Sequence, residues 1–438
     1  MPRIVLVGAG SVEFTRNLLG DFLSYPELRD ATIVLHDIDP DRLATAEGMA
    51  RWTAGALGAS PRIETHLDRR AALAGADFVV DTIQVGGARA TRIDFDIPAD
   101  YGLRYTINDT VNVGGVLRGL RTIPVVLGIV RDMEELCPGA WFLNYTNPMS
   151  MLVWAVSERS PGIRTVGLCH SVYWTVHALA GYLGVPVEEV DHFSAGVNHL
   201  AFMLRLERRG EDLYPALDRF VREGRAPAHD LVRAELYRRL GYYPTESSEH
   251  HAEYNPWFIP KGDLVRRFNI PIGEYLDRVA HNLEEYAETK RQLEAGEPFE
   301  IARSGEYAAV IVHSVATGEP ARIVGNVMNR GALIPNLPAG ACVEVPCLVD
   351  GLGVHPVAAG PLPLQCAAYI HPAVDAQALT VRAALERDRA AVYHAVMQDP
   401  QVQARLTLDE AWRMTDELIA AEAEWLPAWL GGAAGDIG

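Results

Sequence analysis

The chain has 438 residues, of which 49% are hydrophobic and 22% are charged, as in an ordinary soluble globular protein. A single hydrophobic core rarely serves a chain of this length, so we expect two domains. The formal net charge of -18 disfavours nucleic acid and anionic membranes as partners, because both are polyanions.

Signals for export or membrane insertion are not evident in the sequence. The apolar run after Arg3 is too short for a secretion signal, and no uninterrupted apolar stretch reaches the roughly 18 residues of a transmembrane helix. The five cysteines are odd in number and form no CxxC pair, which indicates free thiols rather than a disulfide framework. We therefore expect a cytoplasmic protein.

Strands and helices alternate over the first 170 residues. Strands are predicted at residues 3–8, 31–38, 62–67, 76–85, 141–146 and 165–170, and helices at 14–23 and 41–57. The strands are apolar on both faces, which is typical of a parallel sheet covered by helices. Right-handed crossovers then give an α/β, doubly wound, Rossmann-like sheet.

The pattern changes after about residue 190. Antiparallel strands are predicted at 193–197 and 201–206, a helical region at 215–240, a strand pair at 308–315 and 321–328, and a further strand at 342–345. Residues 372–429 are rich in alanine and charge and are predicted to be helical. We predict a first domain over residues 1–190 and a mixed α+β second domain over 191–438, a dehydrogenase-like arrangement.

A glycine-rich turn follows the first predicted strand. Gly8, Gly10 and Ser11 lie between that strand and the first helix, where glycines let a pyrophosphate approach the backbone and the helix N-terminus binds it. Glu13 replaces the third glycine of the GxGxxG pattern, which weakens the motif.

Polar residues at the ends of later strands complete the predicted cofactor site. Asp37 ends the second strand, where a carboxylate binds the ribose hydroxyls of NAD and repels the 2′-phosphate of NADP. Thr82 and Gln84 end the fourth strand and face the same crevice. Alternatively, Asp37 or Asp39 only caps the following helix, and Thr82 and Gln84 only end a strand. The order of strand, glycine turn, helix, strand and acid predicts NAD binding.

Three further residues could contribute to a metal and substrate site. Asn147 precedes a proline at the end of the fifth strand, Cys169 ends the sixth, and His199 follows in an apolar segment. Taken alone, Asn147 is also typical of a strand-ending turn, Cys169 of a small core thiol and His199 of a core histidine. A thiolate and an imidazole form an incomplete metal site unless substrate oxygens and water fill an octahedral Mn²⁺ shell. The residues alone leave both interpretations open.

The ordered motifs of the chain resemble those of glycoside hydrolase family 4 over essentially its whole length. The motifs are GAGS, LHDID, NDTVNVGG, RGLRTIP, NYTNPM, CHSV and GVNHL, followed by NRGALIPNLPAGACVEVP at residues 329–346. The resemblance implies an NAD-binding domain, a divalent metal that is often manganese, and a need for reducing conditions. It also implies that Cys169 and His199 bind the metal. Asn147 would contact the substrate beside it, and Asp109 would lie at the same site.

The motif at the cysteine bears on the substrate. CHSV is similar to the α-galactosidase branch of the family, whereas members that act on phosphorylated sugars resemble CDxP or CNxP, and residues 241–250 also resemble the former branch. The α-glucosidase branch and the α-glucuronidase or α-galacturonidase branch are the alternatives. His170 is expected to face the hydroxyls of a non-phosphorylated sugar, and Arg92 is expected to bind sugar oxygens.

The resemblance further implies hydrolysis by redox-assisted elimination, which is an exception to the two-carboxylate scheme of glycosidases. NAD⁺ takes hydride from C3, the metal stabilises the enediolate, a base removes the C2 proton, the leaving group departs, water adds, and C3 is reduced again. Family members use a tyrosine as the base about 40 residues after the metal histidine, which predicts Tyr243, with Tyr242 as the alternative. Asp109 would assist leaving-group protonation or orient the metal-bound water.

Two other classes of protein share part of this pattern. A plain NAD-dependent hydroxy-acid dehydrogenase explains the cofactor half and Asn147 but leaves Cys169 and His199 without roles. A non-catalytic NAD-binding sensor explains only the glycine turn and Asp37. We therefore predict an NAD- and Mn²⁺-dependent glycosidase that acts on a small non-phosphorylated α-glycoside, with an α-galactoside as the best match. The resemblance implies a homodimer or homotetramer.

Overall fold

The computed structural model describes residues 1–298, 301 and 303–433. Its strands are β1 (Arg3–Val7), β2 (Thr32–His36), β3 (Arg62–His66), β4 (Phe78–Asp81), β5 (Trp141–Asn144), β6 (Arg164–Gly167), β7 (Val190–Ala195), β8 (Phe202–Arg208), β9 (Glu211–Asp212), β10 (Tyr243–Pro244), β11 (Ala321–Met328), β12 (Cys342–Asp350) and β13 (Gly353–Pro356).

Helices alternate with the early strands and dominate the end of the chain. They are α1 (Val12–Ser24), α2 (Pro40–Leu57), α3 (Arg69–Leu73), α4 (Gly87–Asp100), α5 (Val113–Leu136), α6 (Met149–Arg159), α7 (Ser171–Leu183), α8 (Tyr214–Arg222), α9 (Leu231–Leu240), α10 (Ser248–Glu253), α11 (Gly262–Arg267), α12 (Glu274–Ala295), α13 (Tyr307–Thr317), α14 (Leu364–Glu386), α15 (Arg389–Val396), α16 (Pro400–Arg405) and α17 (Leu408–Ala421).

The first six strands form the predicted doubly wound sheet. Their spatial order is β3-β2-β1-β4-β5-β6, and every neighbouring pair is parallel. This order reverses direction between β1 and β4, which is the point where ligands bind in open α/β sheets. The Rossmann-like fold class predicted from the sequence is confirmed.

Three strands from the second half of the chain extend the same sheet. β11 runs antiparallel beside β6, with Asn326 opposite Gly167, and β12 and β13 follow at the edge. The predicted strand at 308–315 is wrong, because these residues lie in helix α13. A short buried apolar run has no period that separates strand from helix, so periodicity could not decide this element.

Alternating side chains of the central strands supply two cores, one on each face of the sheet. Ile4 and Leu6 of β1 pack with α1, α2 and α13, whereas Val5 and Val7 pack with α3, α5 and α6. A second, antiparallel sheet is formed by β7, β8 and β10, with β9 paired to β8. Helix α12 contacts α1, α2 and α4 and is largely exposed.

Among the residues that the structure describes, one helix, α5, is long and apolar enough to span a bilayer by length and composition. Most of its apolar stretch is buried within the protein, where it packs against α6 and α14. It therefore has the surroundings of a core helix.

A buried ionic cluster ties the C-terminal helices to the parallel sheet. Arg121 of α5 donates to Asp94 of α4 and to Glu422, which follows α17. Its guanidinium also donates to the carbonyl of Val85 beyond β4. All three ionic side chains are almost completely buried, so each depends on the others for its charge compensation.

We expect Arg121→Met to lower the free energy of unfolding by about 3–5 kcal/mol, because it leaves two carboxylates buried without a cation. Arg51→Met is the matched control, since it removes an exposed pair with Glu47 and should cost less than about 0.5 kcal/mol. Thermal and denaturant unfolding measure both. Equal stability of the two variants would contradict the structural role of Arg121.

Candidate active site

A cavity of about 650 Å³ opens at the carboxyl ends of the parallel strands. Its wall begins at Ser11 and Thr82 beside the glycine turn and continues to Asn147, Cys169 and His199. One cavity thus joins the predicted dinucleotide turn to the predicted metal and substrate residues.

The glycine turn is held by backbone and carboxylate contacts. Gly8 has a φ of +86°, and a Cβ there would lie 2.9 Å from the Ile83 nitrogen. A Cβ on Gly10 would lie 2.6 Å from Asp37 Oδ2, which instead accepts the Gly10 N–H at 2.8 Å. Both positions therefore require glycine, and Asp37 is fixed at the edge of the turn.

The residue that caps α2 is Asp39 and not Asp37, which were the two alternatives in the sequence. The Asp39 carboxylate accepts the N–H groups of Asp41 and Arg42 and caps α2. The two residues predicted at the end of β4 also form hydrogen bonds within the protein. Thr82 donates to the carbonyls of Val7 and Gly8, and Gln84 donates to Thr91, while both side chains line the cavity.

Asp109 lies at the centre of a polar group on one wall of the cavity. Its carboxylate accepts hydrogen bonds from Thr110 Oγ1 at 2.7 Å and from Asn147 Nδ2 at 3.1 Å. Arg118 Nη1 lies 3.6 Å from it and donates to the Tyr275 hydroxyl at 2.8 Å. Two hydrogen-bond donors and one nearby guanidinium therefore surround this carboxylate.

His199 presents one ring nitrogen to the cavity. Its Nδ1 lies 3.2 Å from Thr110 Oγ1 and 3.4 Å from the Tyr254 hydroxyl, while its Nε2 lies 3.4 Å from Cys169 Sγ. Oxygen partners at Nδ1 orient the ring and leave the Nε2 lone pair for a metal. Burial and the carboxylates of Glu246 and Glu344 raise the pKa of the Cys169 thiol well above its usual value. A bound cation favours the thiolate instead.

Glu246 and His250 enclose the other side of this group. Glu246 Oε2 lies 3.6 Å from His199 Nε2, and its Oε1 lies 3.4 Å from His250 Nδ1. His250 Nε2 faces Asp109 at 3.9 Å. Burial and the nearby His199 ring hold the pKa of His250 well below its usual value, so its ring is neutral.

His170 lines the cavity, just before the first residue of α7. Its Nδ1 lies 3.3 Å from the buried Glu306 carboxylate. Burial opposes the charged ring, but Glu306 outweighs burial and raises the pKa of His170.

Three residues predicted for the site lie elsewhere. Tyr243 is buried and donates to Asp230 at 2.8 Å, and burial raises the pKa of its phenol well above the usual value. Tyr242 lines a separate groove beside Tyr214. The prediction rested on the number of residues after His199, but the pairing of β10 with β8 holds Tyr243 away from the cavity. Arg92 lies on the exposed face of α4, so its predicted contact with sugar is also unsupported.

The structure adds cavity residues that the sequence analysis did not predict. Ser247 caps α10, so Glu246 lies in the loop before the helix and Glu249 lies in its first turn. This capping signal in the sequence could have indicated that Glu246, rather than Glu249, faces the cavity. Polar side chains of helix α12 line one side of the cavity. No motif in the sequence indicates that this helix reaches the site. The cavity residues of this helix are Tyr275, Arg278, His281, Asn282 and Glu285.

The fold and site together define a dehydrogenase-like α/β protein with a sulfur, nitrogen and carboxylate cluster beside a dinucleotide-type turn. The sequence profile for the family 4 glycosyl hydrolases matches residues 3–185, and the profile for the C-terminal domain of that family matches residues 194–402. The chain belongs to glycosyl hydrolase family 4.

Two relatives are similar over almost the whole chain. An α-galactosidase of Bacillus subtilis (strain 168) is 42% identical, with 98% of this chain and 100% of the relative covered. An α-galactosidase of Rhizobium meliloti (strain 1021) is 37% identical, with 98% of this chain and 89% of the relative covered.

Solved structures share the fold at lower identity. A 6-phospho-α-glucosidase from gut microorganisms, in complex with NAD and Mn²⁺, has a TM-score of 0.81 at 21% identity and covers 97% of this chain and 99% of its own. A malate dehydrogenase from Plasmodium falciparum has a TM-score of 0.51 at 13% identity and covers 90% of this chain and 100% of its own. The fold alone therefore does not separate glycosidase from dehydrogenase.

Proposed function

We propose that the chain is a cytoplasmic, homo-oligomeric α-galactosidase that works with bound NAD⁺ and a divalent metal, best matched by Mn²⁺. The observation that carries the proposal is the single cavity that connects the glycine turn with Cys169, His199 and Asp109. Relatives called α-galactosidases, at 42% and 37% identity, support the sugar. A structural neighbour solved with NAD and Mn²⁺ supports the two cofactors.

The glycine turn fits a dinucleotide. Gly8 and Gly10 pack too closely against Ile83 and Asp37 to carry a Cβ, and the Ser11 side chain does not cap α1. The first N–H groups of α1 can therefore bind a pyrophosphate. Asp37 remains partly exposed for ribose hydroxyls, and the neighbouring Ile38 is 89% exposed, which gives adenine an apolar surface.

The donor set at Cys169 and His199 fits a divalent transition metal. A thiolate and an imidazole suit borderline metals, and nearby carboxylates extend the range to Mn²⁺. Bound NAD⁺ supplies a hydride acceptor for C3 of the sugar, and the metal supplies a Lewis acid that acidifies the C2 proton. Asn147 donates to Asp109 and lines the same cavity, so it is positioned to orient a sugar hydroxyl.

With Tyr242 and Tyr243 outside the cavity, we assign the proton-accepting tyrosine to Tyr275. Its oxygen accepts from Arg118 at the wall that also holds Asp109, and its side chain lines the cavity. Tyr145 also lines the cavity, but its oxygen accepts the Ala308 N–H, and burial raises the pKa of its phenol well above the usual value. Tyr275 is therefore the better placed of the two.

We expect Tyr275→Phe to lower kcat by about 10²-fold or more, as for loss of a general base. Tyr243→Phe should instead lower the free energy of unfolding by about 1 kcal/mol, because Asp230 loses one of several donors, with kcat close to that of the unsubstituted chain. Steady-state kinetics and thermal unfolding measure both variants. A large loss of kcat in Tyr243→Phe alone would restore the sequence-based assignment.

The function is tested by hydrolysis of a chromogenic α-galactoside, with NAD⁺, Mn²⁺ and thiol reductant each omitted in turn. We expect release of the chromophore only with all three and no net NADH, because the cofactor is regenerated in each turnover. Preferential cleavage of an α-glucoside or α-galacturonide would overturn the sugar assignment. Net NADH from a hydroxy acid, with no glycoside cleaved, would indicate a dehydrogenase.

A further inference from the structure

We propose that Glu246 is a third protein ligand of the metal held by Cys169 and His199. This inference rests on the proposed function, because it concerns the same metal. The three side chains offer sulfur, nitrogen and oxygen atoms that all lie within 4.8 Å of one another. They come from three places in the chain, after β6, after β7 and after β10, and meet at one point of the cavity.

The spacing of the donor atoms matches that of ligands around one ion. His199 Nε2 lies 3.4 Å from Cys169 Sγ and 3.6 Å from Glu246 Oε2. Atoms bound to one metal at about 2.0–2.3 Å, with angles of about 90–110° between them, lie roughly 2.8–3.8 Å apart. The separations that involve His199 therefore place both neighbours in adjacent coordination positions.

The backbone that carries Glu246 is held by a buried ionic pair. The Arg233 guanidinium donates to the Glu246 carbonyl and to both oxygens of Asp230, and Ser248 also donates to Asp230. Glu246 itself has a φ of +69°, an unfavourable conformation for a residue with a side chain. Such a conformation persists only where its surroundings impose it, and it turns the carboxylate toward the cavity.

Asp109 is the other cavity carboxylate near His199, and its charge is already compensated. Thr110 and Asn147 donate to it, and the Arg118 guanidinium lies 3.6 Å away. The ion-pair contacts of Glu246 are instead with the rings of His199 and His250. A histidine that binds a metal does so as a neutral ring, so these contacts leave the Glu246 charge available to a cation.

A ligand set of one thiolate, one imidazole and one carboxylate has a consequence for binding without substrate. It leaves about three positions of an octahedral ion for sugar oxygens and water. A two-residue site would instead depend on the substrate to retain its metal. The chain should therefore bind Mn²⁺ in the absence of both sugar and NAD⁺.

The test is a Mn²⁺ titration of the reduced, chelator-treated full chain, followed by the electron paramagnetic resonance signal of free Mn²⁺. We expect Glu246→Gln to weaken the Kd for Mn²⁺ by about tenfold or more, since even outer-sphere changes cost about 10–100-fold. Glu249→Gln is the matched control, because it removes the same charge three residues away without lining the cavity, and its Kd should equal that of the unsubstituted chain. Thermal unfolding checks that both variants are folded.

The outcomes separate this inference from the proposed function. If Cys169→Ser loses Mn²⁺ binding while Glu246→Gln keeps the Kd of the unsubstituted chain, Glu246 is not a ligand, although the metal site stands. Equal weakening in Glu246→Gln and Glu249→Gln would show a general charge effect and would also overturn the inference. If the unsubstituted chain binds Mn²⁺ only after sugar is added, the metal depends on the substrate and the inference fails, although the proposed function stands. If it binds no Mn²⁺ even with sugar and NAD⁺ present, the metal part of the proposed function fails as well.

Discussion

The joint between β6 and β11 is the constraint on which the site depends. Gly167 ends β6 opposite Asn326 of β11, and a Cβ on Gly167 would lie 2.5 Å from the Met149 sulfur and 3.0 Å from the Asn326 Cβ. The two strands can approach this closely only because Gly167 has no side chain. Their pairing makes one continuous sheet from the two halves of the chain.

The same joint fixes the loop that carries His199. Glu344 of β12 exchanges backbone hydrogen bonds with Gly196, and its carboxylate accepts from Asn326 and Asn198. Burial raises the pKa of Glu344 to about 7, against the effect of these donors. Asn198 immediately precedes His199. The pairing of β6 with β11, which positions Cys169 just after β6, therefore also fixes the position of the His199 ring. Cofactor turn, thiol and imidazole are therefore positioned by one sheet.

How far the sequence predicts this structure depends on which forces set each part. Apolar runs and segments with helical periodicity were sufficient to predict the parallel sheet. Because parallel strands end at the same edge of a sheet, the predicted strand ends also placed Asp37, Asn147 and Cys169 at that edge. The second half depends on tertiary packing. Residues 308–315 form a helix rather than a strand, and Tyr243 is turned inward by the pairing of β10 with β8. Glu246 reaches the cavity through a left-handed backbone that only its packed neighbours impose.

The central claim is that the glycosidic bond is broken after loss of the C2 proton, at a centre shared by the glycine turn and the cluster of Cys169 and His199. The most direct measurement is hydrolysis of an α-galactoside in D₂O, with the product sugar analysed by proton nuclear magnetic resonance. The account predicts deuterium at C2, because the proton removed there is replaced from solvent, and none at C3, because its hydride returns from the cofactor. A product with its original proton at C2 would contradict the account.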